Sequence, residues 1–338
     1  MNRSLIILII VFVITFLLDV MFGSVLIPLK GLWNIFTGEP VAHPAWERIV
    51  INYRLPRAVT GVLAGSGLGL SGLYMQTFFR NPLAGPYVLG ISAGASLGVA
   101  LVVFGESLWL LFGIQLMSGF SMAIGAIIGS FLVFAVVLFF STKVRDNTSL
   151  LIIGLMFSSA TSAIVSILQF FSNPEDVQSY LIWTFGDLGS VTLGELQVLF
   201  PLIAIGWLGS VFLIKPLNIF LLGNQYAKNA GLNMTLAKYG VISVTALLSG
   251  TITAYCGPIA FVGLATPHIA RMILDTSDHR LLIPFVGFLG AIILMLCDVI
   301  SRMPGLSHSL PLNAITSILG GPLVIWLIVK RGNISNSF

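Results

Sequence analysis

Charge is what this sequence has least of: 8% of its 338 residues are Asp, Glu, Lys or Arg, against 57% hydrophobic. Soluble globular domains draw roughly a quarter of their residues from the charged set, so this chain cannot cover itself in water. With a mean hydropathy of +1.03, it reads as a membrane protein of many spans. No charged residue occurs in 58–79, 81–105, 107–142, 147–174, 196–214, 239–270, 281–297 or 303–329. A spanning helix takes about 20 apolar residues, so most of these runs hold one span.

Cysteine and histidine are scarce as well. Cys256 and Cys297 both lie in apolar runs and suggest neither a disulfide framework nor a metal site. His43 and His308 fall in loops, with no spacing that joins them to another ligand. The four histidines and twelve acids are scattered, whereas a membrane enzyme needs acids, bases or metal ligands gathered at one face. An ion-coupled transporter needs ionisable groups near the bilayer centre; the charge-free runs supply none, and Asp19 and Asp298 fall toward predicted outer helix ends. The chain also has no Gly-x-x-x-x-Gly-Lys-Ser/Thr phosphate loop. If ATP drives the protein, a separate ATPase must bind the nucleotide and its Mg, and no cofactor is expected in this chain. Nothing points to a nucleic-acid partner.

What is present is a regular series of apolar segments. Splitting the runs at their Pro and Gly breaks predicts ten helices over 5–27, 56–78, 86–104, 118–140, 149–171, 195–215, 239–255, 258–274, 281–299 and 309–329. The first is read as a retained span rather than a signal peptide, since its apolar stretch continues past Asp19 and no small-residue cleavage site follows. Cytoplasmic termini would place eleven Lys and Arg inside and five outside, namely Lys30, Arg48, Arg54, Arg57 and Arg302. That bias fits the positive-inside tendency. Glycines four apart, Gly65/Gly69 and Gly125/Gly129, predict close helix crossings.

Two blocks carry most of the signal. One runs from Arg54-Leu-Pro-Arg57 through a charge-free helix to Arg80-Asn81-Pro82-Leu-Ala-Gly-Pro86; the other is Gly257 to Arg271, with Pro267-His268 inside it. From position, the three outer arginines Arg54, Arg57 and Arg302 are either interfacial or an exposed docking surface for carboxylates. Asp298 and Arg302, four apart on one helix, are expected to pair. His268 is expected to cap a helix or bond backbone. Ser158, Ser159, Thr161, Ser162 and Ser166 make the fifth span hydroxyl-rich, which is costly in lipid unless the hydroxyls bond backbone carbonyls. Asn313, Thr316 and Ser317 share one face of the tenth. Gly223 and Gly231 bracket an amphiphilic cytoplasmic segment able to form two turns of helix and to fit a partner's groove.

Taken in order, these motifs resemble the FecCD family of ATP-driven permeases for iron chelates, haem and cobalamin, and the likeness covers nearly the whole chain. Further matches are Gly72 with Gln76, Gly90 with Gly94-Ala95, Phe261-Val-Gly-Leu264, Asp278-His-Arg280 and Leu310-Pro311. The resemblance implies an all-α polytopic protein with the type II importer fold. Residues 1–338 would form a single transmembrane permease domain with an inverted repeat of helices two to five and seven to ten. It also implies a homodimer in a bacterial inner membrane, two cytoplasmic ATP-binding subunits and an external substrate-binding protein that docks on Arg54, Arg57 and Arg302.

Further residue roles follow from the same resemblance. Leu222, Gly223, Ala227, Gly231 and Leu232 would couple to the ATPase. Ser158, Ser159, Ser162, Asn313, Thr316 and Ser317 would line the pathway, with an inner gate at Asn147 and Thr148. Arg80, Asn81, Pro82, Pro267, His268 and Arg271 would be structural. The chain departs from the family at Asn224, where an acid is common, and at Ser309 and Asn313, where Glu and Gly are common. Iron-siderophore import is the expected role, with haem and cobalamin as alternatives.

Overall fold

A computed structural model describes residues 2–23, 25–105, 119–144, 147–303 and 309–331. Its helices are α1 (Asn2–Met21), α2 (Leu29–Thr37), α3 (Ala45–Ile49), α4 (Leu55–Phe79), α5 (Ile91–Phe104), α6 (Gly119–Lys143), α7 (Asn147–Phe170), α8 (Pro174–Thr184), α9 (Leu193–Leu221), α10 (Asn224–Asn229), α11 (Met234–Cys256), α12 (Val262–Leu274), α13 (His279–Ser301) and α14 (Leu312–Arg331). No strand occurs among the described residues. Seven helical segments are long and apolar enough to cross a membrane, and three shorter apolar ones, within α5, α12 and α14, complete the ten predicted cores.

Several boundaries differ from expectation, each for a local reason. The first helix ends at Met21 rather than near residue 27, followed by Gly23 and, further on, Pro28. The second does not start at residue 56. Helix continues back to Ala45 through a π-helical turn, Val50–Arg54, beside Pro56. Proline has no N–H to give the preceding turn, and a wider turn there is one way for a helix to continue past it. The sixth span runs through Pro216 to Leu221, as membrane helices tolerate proline where neighbours satisfy the freed backbone. It opens on a capping box in which Thr192 and Glu195 satisfy each other's backbone N–H. Helices α2 and α8 were not expected as elements.

Repetition organises the bundle. Helices α4, α5, α6 and α7 have 25, 14, 25 and 24 residues; α11, α12, α13 and α14 have 23, 13, 23 and 20. In both sets a long helix is followed by a short one, then two long ones. Contacts repeat too: α4 packs on α13 as α11 packs on α6, and α5 packs on α6 and α7 as α12 packs on α13 and α14. The sets start five spans apart, so they run in opposite directions, as an inverted repeat requires.

Glycine sets the tightest crossings. A Cβ on Gly65 would lie 2.3 Å from the Gly290 carbonyl oxygen, and one on Gly98 would lie 1.9 Å from that of Gly125. The predicted glycine pairs thus sit at the α4–α13 and α5–α6 contacts, where backbones approach as in small-residue membrane interfaces. The core helix α4 is buried along most of its length, whereas α1, α7 and α9 keep large apolar side chains exposed, as lipid-facing or subunit-facing helices do.

Candidate functional site

At the predicted outer end, three arginines and three aspartates meet. Arg57 grips Asp298 through Nε at 3.0 Å and through a terminal nitrogen at 2.8 Å, and its charge also reaches Asp187 at 3.1 Å. Arg302 pairs with Asp298 and Asp19 and donates to the Phe22 carbonyl at 3.1 Å. Arg54 donates to the carbonyls of Val20, at 3.0 Å, Met21 and Val25. The formal charges balance, three against three, which is what burial demands of ionised groups. Asp19 and Asp298 are fully buried, while the Asp187 side chain is 48% exposed.

The expectation of exposed arginines is therefore corrected: these guanidiniums are largely buried and hold α1, α4, α13 and the α8–α9 loop together. Arg302 does pair with Asp298, but shares it with Arg57. Sequence spacing missed Asp19 and Asp187 as members because they come from distant segments. Burial also changes the expected charge bias: without these three arginines the predicted outer side keeps only Lys30 and Arg48, and without buried Arg271 the predicted inner side keeps ten.

A second polar knot lies at the predicted cytoplasmic end. His279 Nδ1 approaches Asn218 Oδ1 at 2.7 Å and Nε2 approaches the Thr77 hydroxyl at 2.9 Å. An amide oxygen only accepts, so Nδ1 carries the proton, while Nε2 faces the Thr77 hydroxyl, which also reaches the Leu73 carbonyl at 2.9 Å. Asn218 also donates to Asp278 at 2.7 Å. Asp278 accepts from the Arg280 N–H at the start of α13, and that bond first, then Asn218, holds its carboxyl below the usual carboxylate range. Arg271 donates to Gln76 at 2.7 Å, and Gln76 donates to the Leu264 carbonyl. His268 bonds the Pro82 carbonyl at 2.8 Å, the backbone role expected of it. The Asn81 side chain closes its own loop by accepting from Leu83 N–H at 2.9 Å, and Pro267 sits buried within α12.

The knot abuts the connection from α9 to α11. Arg80, left-handed at the end of α4, donates to the Leu221 carbonyl at 2.8 Å. Gly223 (φ 98°) and Gly231 (φ 77°) then bracket α10, both in backbone regions that favour glycine. Ala227 is buried and Leu232 packs on the core, so these two anchor the segment, while Leu222 and Tyr226 project outward. The Asn224 side chain lies outside the described residues.

The expected pathway residues separate into two groups. Ser158, Ser159 and Ser166 donate to carbonyls four residues back, at 2.9, 3.1 and 3.0 Å, the bonding that lets hydroxyls sit in a membrane helix. Ser158 and Ser162 join Ser92, Ser96, Tyr87, Gln169 and Tyr180 around a cavity of about 380 Å³ between α5, α7 and α8. On α14, Thr316 is buried and bonds the Asn313 carbonyl, as Ser317 does, while the Asn313 side chain accepts from Ala260 N–H at 3.1 Å. That bond holds the turn before α12, where Phe261 has φ 66°. The expectation of one open polar stripe on α14 is thus corrected for Thr316 and Asn313, whose groups serve the chain's interior. The Asn147 and Thr148 backbones open α7, but their side chains lie outside the described residues.

Among the described residues, no group of three or more His, Cys, Asp or Glu is placed to hold a metal ion. Cys256 and Cys297 are both buried thiols.

The fold is similar to that of a solved metal-chelate type ABC transporter in an inward-facing conformation: TM-score 0.85, 28% identity, 98% of this chain and 100% of that one covered. The sequence is 33% identical over 311 residues to the hemin transport system permease protein HmuU of Yersinia pestis, covering 91% of this chain and 90% of the relative. It is 33% identical over 315 residues to the vitamin B12 import system permease protein BtuC of Salmonella typhi, covering 91% and 93%. The model of the FecCD transport family matches residues 9–330. The buried glycine crossings, the repeated helix set and this end-to-end match together place the chain in the FecCD transport family of ABC importer permeases.

Proposed function

We propose that the chain forms one half of an ATP-driven import pathway for a metal chelate, with an iron-siderophore complex as cargo and haem and cobalamin as the alternatives. The observation that carries this reading is the exposed rim of the chain. Ser159 and Ser162 face outward from α7 beside Ile152 and Ile164, and Ile318 and Ile325 face outward from α14. A second copy packed there would enclose a neutral, hydroxyl-bearing passage. Such a wall binds a bulky complex weakly and releases it, and it offers hydrogen bonds to a siderophore's polar periphery that an apolar porphyrin face cannot use.

In this reading the termini are cytoplasmic in an inner membrane, two ATPase subunits seat on Leu222 and Tyr226 around α10, and an external binding protein delivers cargo. Arg54, Arg57 and Arg302 support docking from beneath. Asp187, the exposed acid of that cluster, is the group an incoming carboxylate would have to exchange with at Arg57. The direct test is a vesicle holding the permease with its ATPase and binding protein. ATP-dependent uptake of ferric siderophore, exceeding that of haemin and cobalamin, is expected, and uptake driven by a proton gradient without ATP hydrolysis would overturn the reading.

The coupling segment gives a second expectation. Gly231 has φ 77° and its N–H donates to the Lys228 carbonyl at 3.0 Å; proline supplies neither that angle nor that proton. Gly231→Pro should leave membrane insertion intact and lower ATP-driven uptake at least about tenfold, the effect of roughly 1.4 kcal/mol on the coupled step. Full uptake by this variant would remove the segment from the mechanism.

A further inference from the structure

We infer that the open groove between α6 and α11 holds the tail of an anionic phospholipid whose phosphate sits at Lys143 and Lys238. This goes beyond the transport reading and does not depend on which cargo is carried.

The groove is built by antiparallel pairing. A Cβ on Gly250 would lie 3.4 Å from Ser130 Cβ, and Lys238 donates to the Ser141 carbonyl at 2.7 Å, so the two helices keep one register along their length. Along that seam lies a cavity of about 360 Å³, walled by Ile127, Phe131 and Phe134 of α6 and Ala246, Leu247 and Gly250 of α11. No charged side chain lines it, and Ser130 turns its hydroxyl to the Ile91 carbonyl. The α6 rim is open, with Phe131 64% exposed.

The inverted repeat shows what such a crossing needs. At the corresponding crossing of α4 and α13, helix α1 lies against both and covers them. The helix before the second set, α9, packs on α11 and α4, and Ile128, Phe131 and Leu132 of α6 stay exposed. A lipid tail supplies here the apolar cover that α1 supplies there.

Charge decides which lipid. The Lys238 ammonium has three N–H groups; two reach the Ser141 and Val144 carbonyls at the end of α6, and the third has no partner among the described residues. Lys143 sits at the same end, its ammonium 4.7 Å from the centre of the Phe139 ring. Neither lysine forms an ion pair among the described residues, and no Asp or Glu occurs in α6 or α11. Arg145 and Asp146 follow in the sequence and add no net charge. Two cations without a countercharge favour an anionic headgroup over one that brings its own ammonium. The lengths agree as well. Counted from Ser141, Phe134 and Ile127 lie about 10 and 21 Å along the helix, and one leaflet's hydrocarbon is about 15 Å deep, so a tail held at the lysines enters the cavity.

The test is native mass spectrometry of the full chain, carried from detergent with phosphatidylglycerol or phosphatidylcholine bearing identical tails. The wild type should bind phosphatidylglycerol at least about tenfold more tightly. Lys143→Gln alone should narrow that ratio about fivefold, and Lys143→Gln with Lys238→Gln should bring it near one. Ala246→Phe fills the cavity and should weaken both lipids several-fold and alike; Ser243→Phe does the same from the neighbouring turn, should Ala246→Phe fail to fold. Equal binding of the two lipids by the wild type, a ratio that survives the lysine substitutions, or lipid binding untouched by the filled cavity would overturn the site. Loss of dimer rather than of lipid on filling it would assign the groove to a second copy and overturn the site too. Failure of the permease reading is distinguishable: it would appear as no ATP-dependent uptake by the complete transporter while lipid binding stays intact.

Discussion

Asp298→Ala should lower the stability of the folded permease by about 3–5 kcal/mol, the usual consequence of removing one member of a buried ion pair. Asp298 is fully buried and receives both Arg57 and Arg302. Without it Arg57 keeps only the half-exposed Asp187, and Arg302 keeps Asp19. Asp187→Ala should cost less than about 1 kcal/mol, because that carboxylate is wetted and screened. The more discriminating comparison is a cycle. Arg302→Met leaves Asp19 buried without a countercharge, whereas Arg302→Met combined with Asp19→Leu removes one charge of each sign and keeps the cluster balanced. The double variant should therefore be more stable than the arginine variant alone. Denaturation in detergent reads all four; equal midpoints for Asp298→Ala and wild type would show that the cluster does not hold the outer end.

The second large effect is expected at a site with no polar group at all. A Cβ on Gly72 would stand 1.6 Å from the Gly263 carbonyl oxygen, an atom of the facing backbone that no rotamer change can move. Gly72→Ala should force α4 and α12 apart and cost about 3 kcal/mol, the upper part of the range for overpacking. Gly321→Ala, where nothing lies within 4 Å of the added carbon, is the matched control and should be neutral or gain up to about 1 kcal/mol from helix propensity. A thermal midpoint for Gly72→Ala within error of the control would mean the two backbones are not held at this distance.

These two sites differ in how much of them could be read in advance. The spacing of Gly65/Gly69 and Gly125/Gly129 announces a helix crossing, because small residues four apart make a flat stripe whatever they face. The chain's long charge-free runs likewise announce its membrane helices, since lipid leaves the backbone only helices or closed barrels and these runs have helical length. Proline was a poorer guide. Pro216 reads as a stop, yet the helix passes through it, because the cost of a missing hydrogen bond depends on neighbours that spacing does not reveal. Arg57 and Arg302 read as interfacial for the same reason: Asp187 and Asp298 lie 130 and 241 positions from Arg57 and Asp19 lies 283 from Arg302, so that apart from the Asp298–Arg302 pair, four apart, only folding brings the cluster together.

The sequence by itself determined that this is a multi-span helical protein with no Gly-x-x-x-x-Gly-Lys-Ser/Thr phosphate loop, that its charges are few, and which motifs align it with a transport family. Those properties are set by transfer between water and lipid, residue by residue, and need no partner. The tertiary structure alone decided that Arg54, Arg57 and Arg302 form a neutralised clasp, that Asn218, Thr77 and His279 form one knot beside the connection from α9 to α11, and that Ser158 and Ser162 of α7 meet Ser92 and Tyr180 around one cavity. Each of those depends on which distant group supplies the other half of a bond, and distance along the chain carries no record of that.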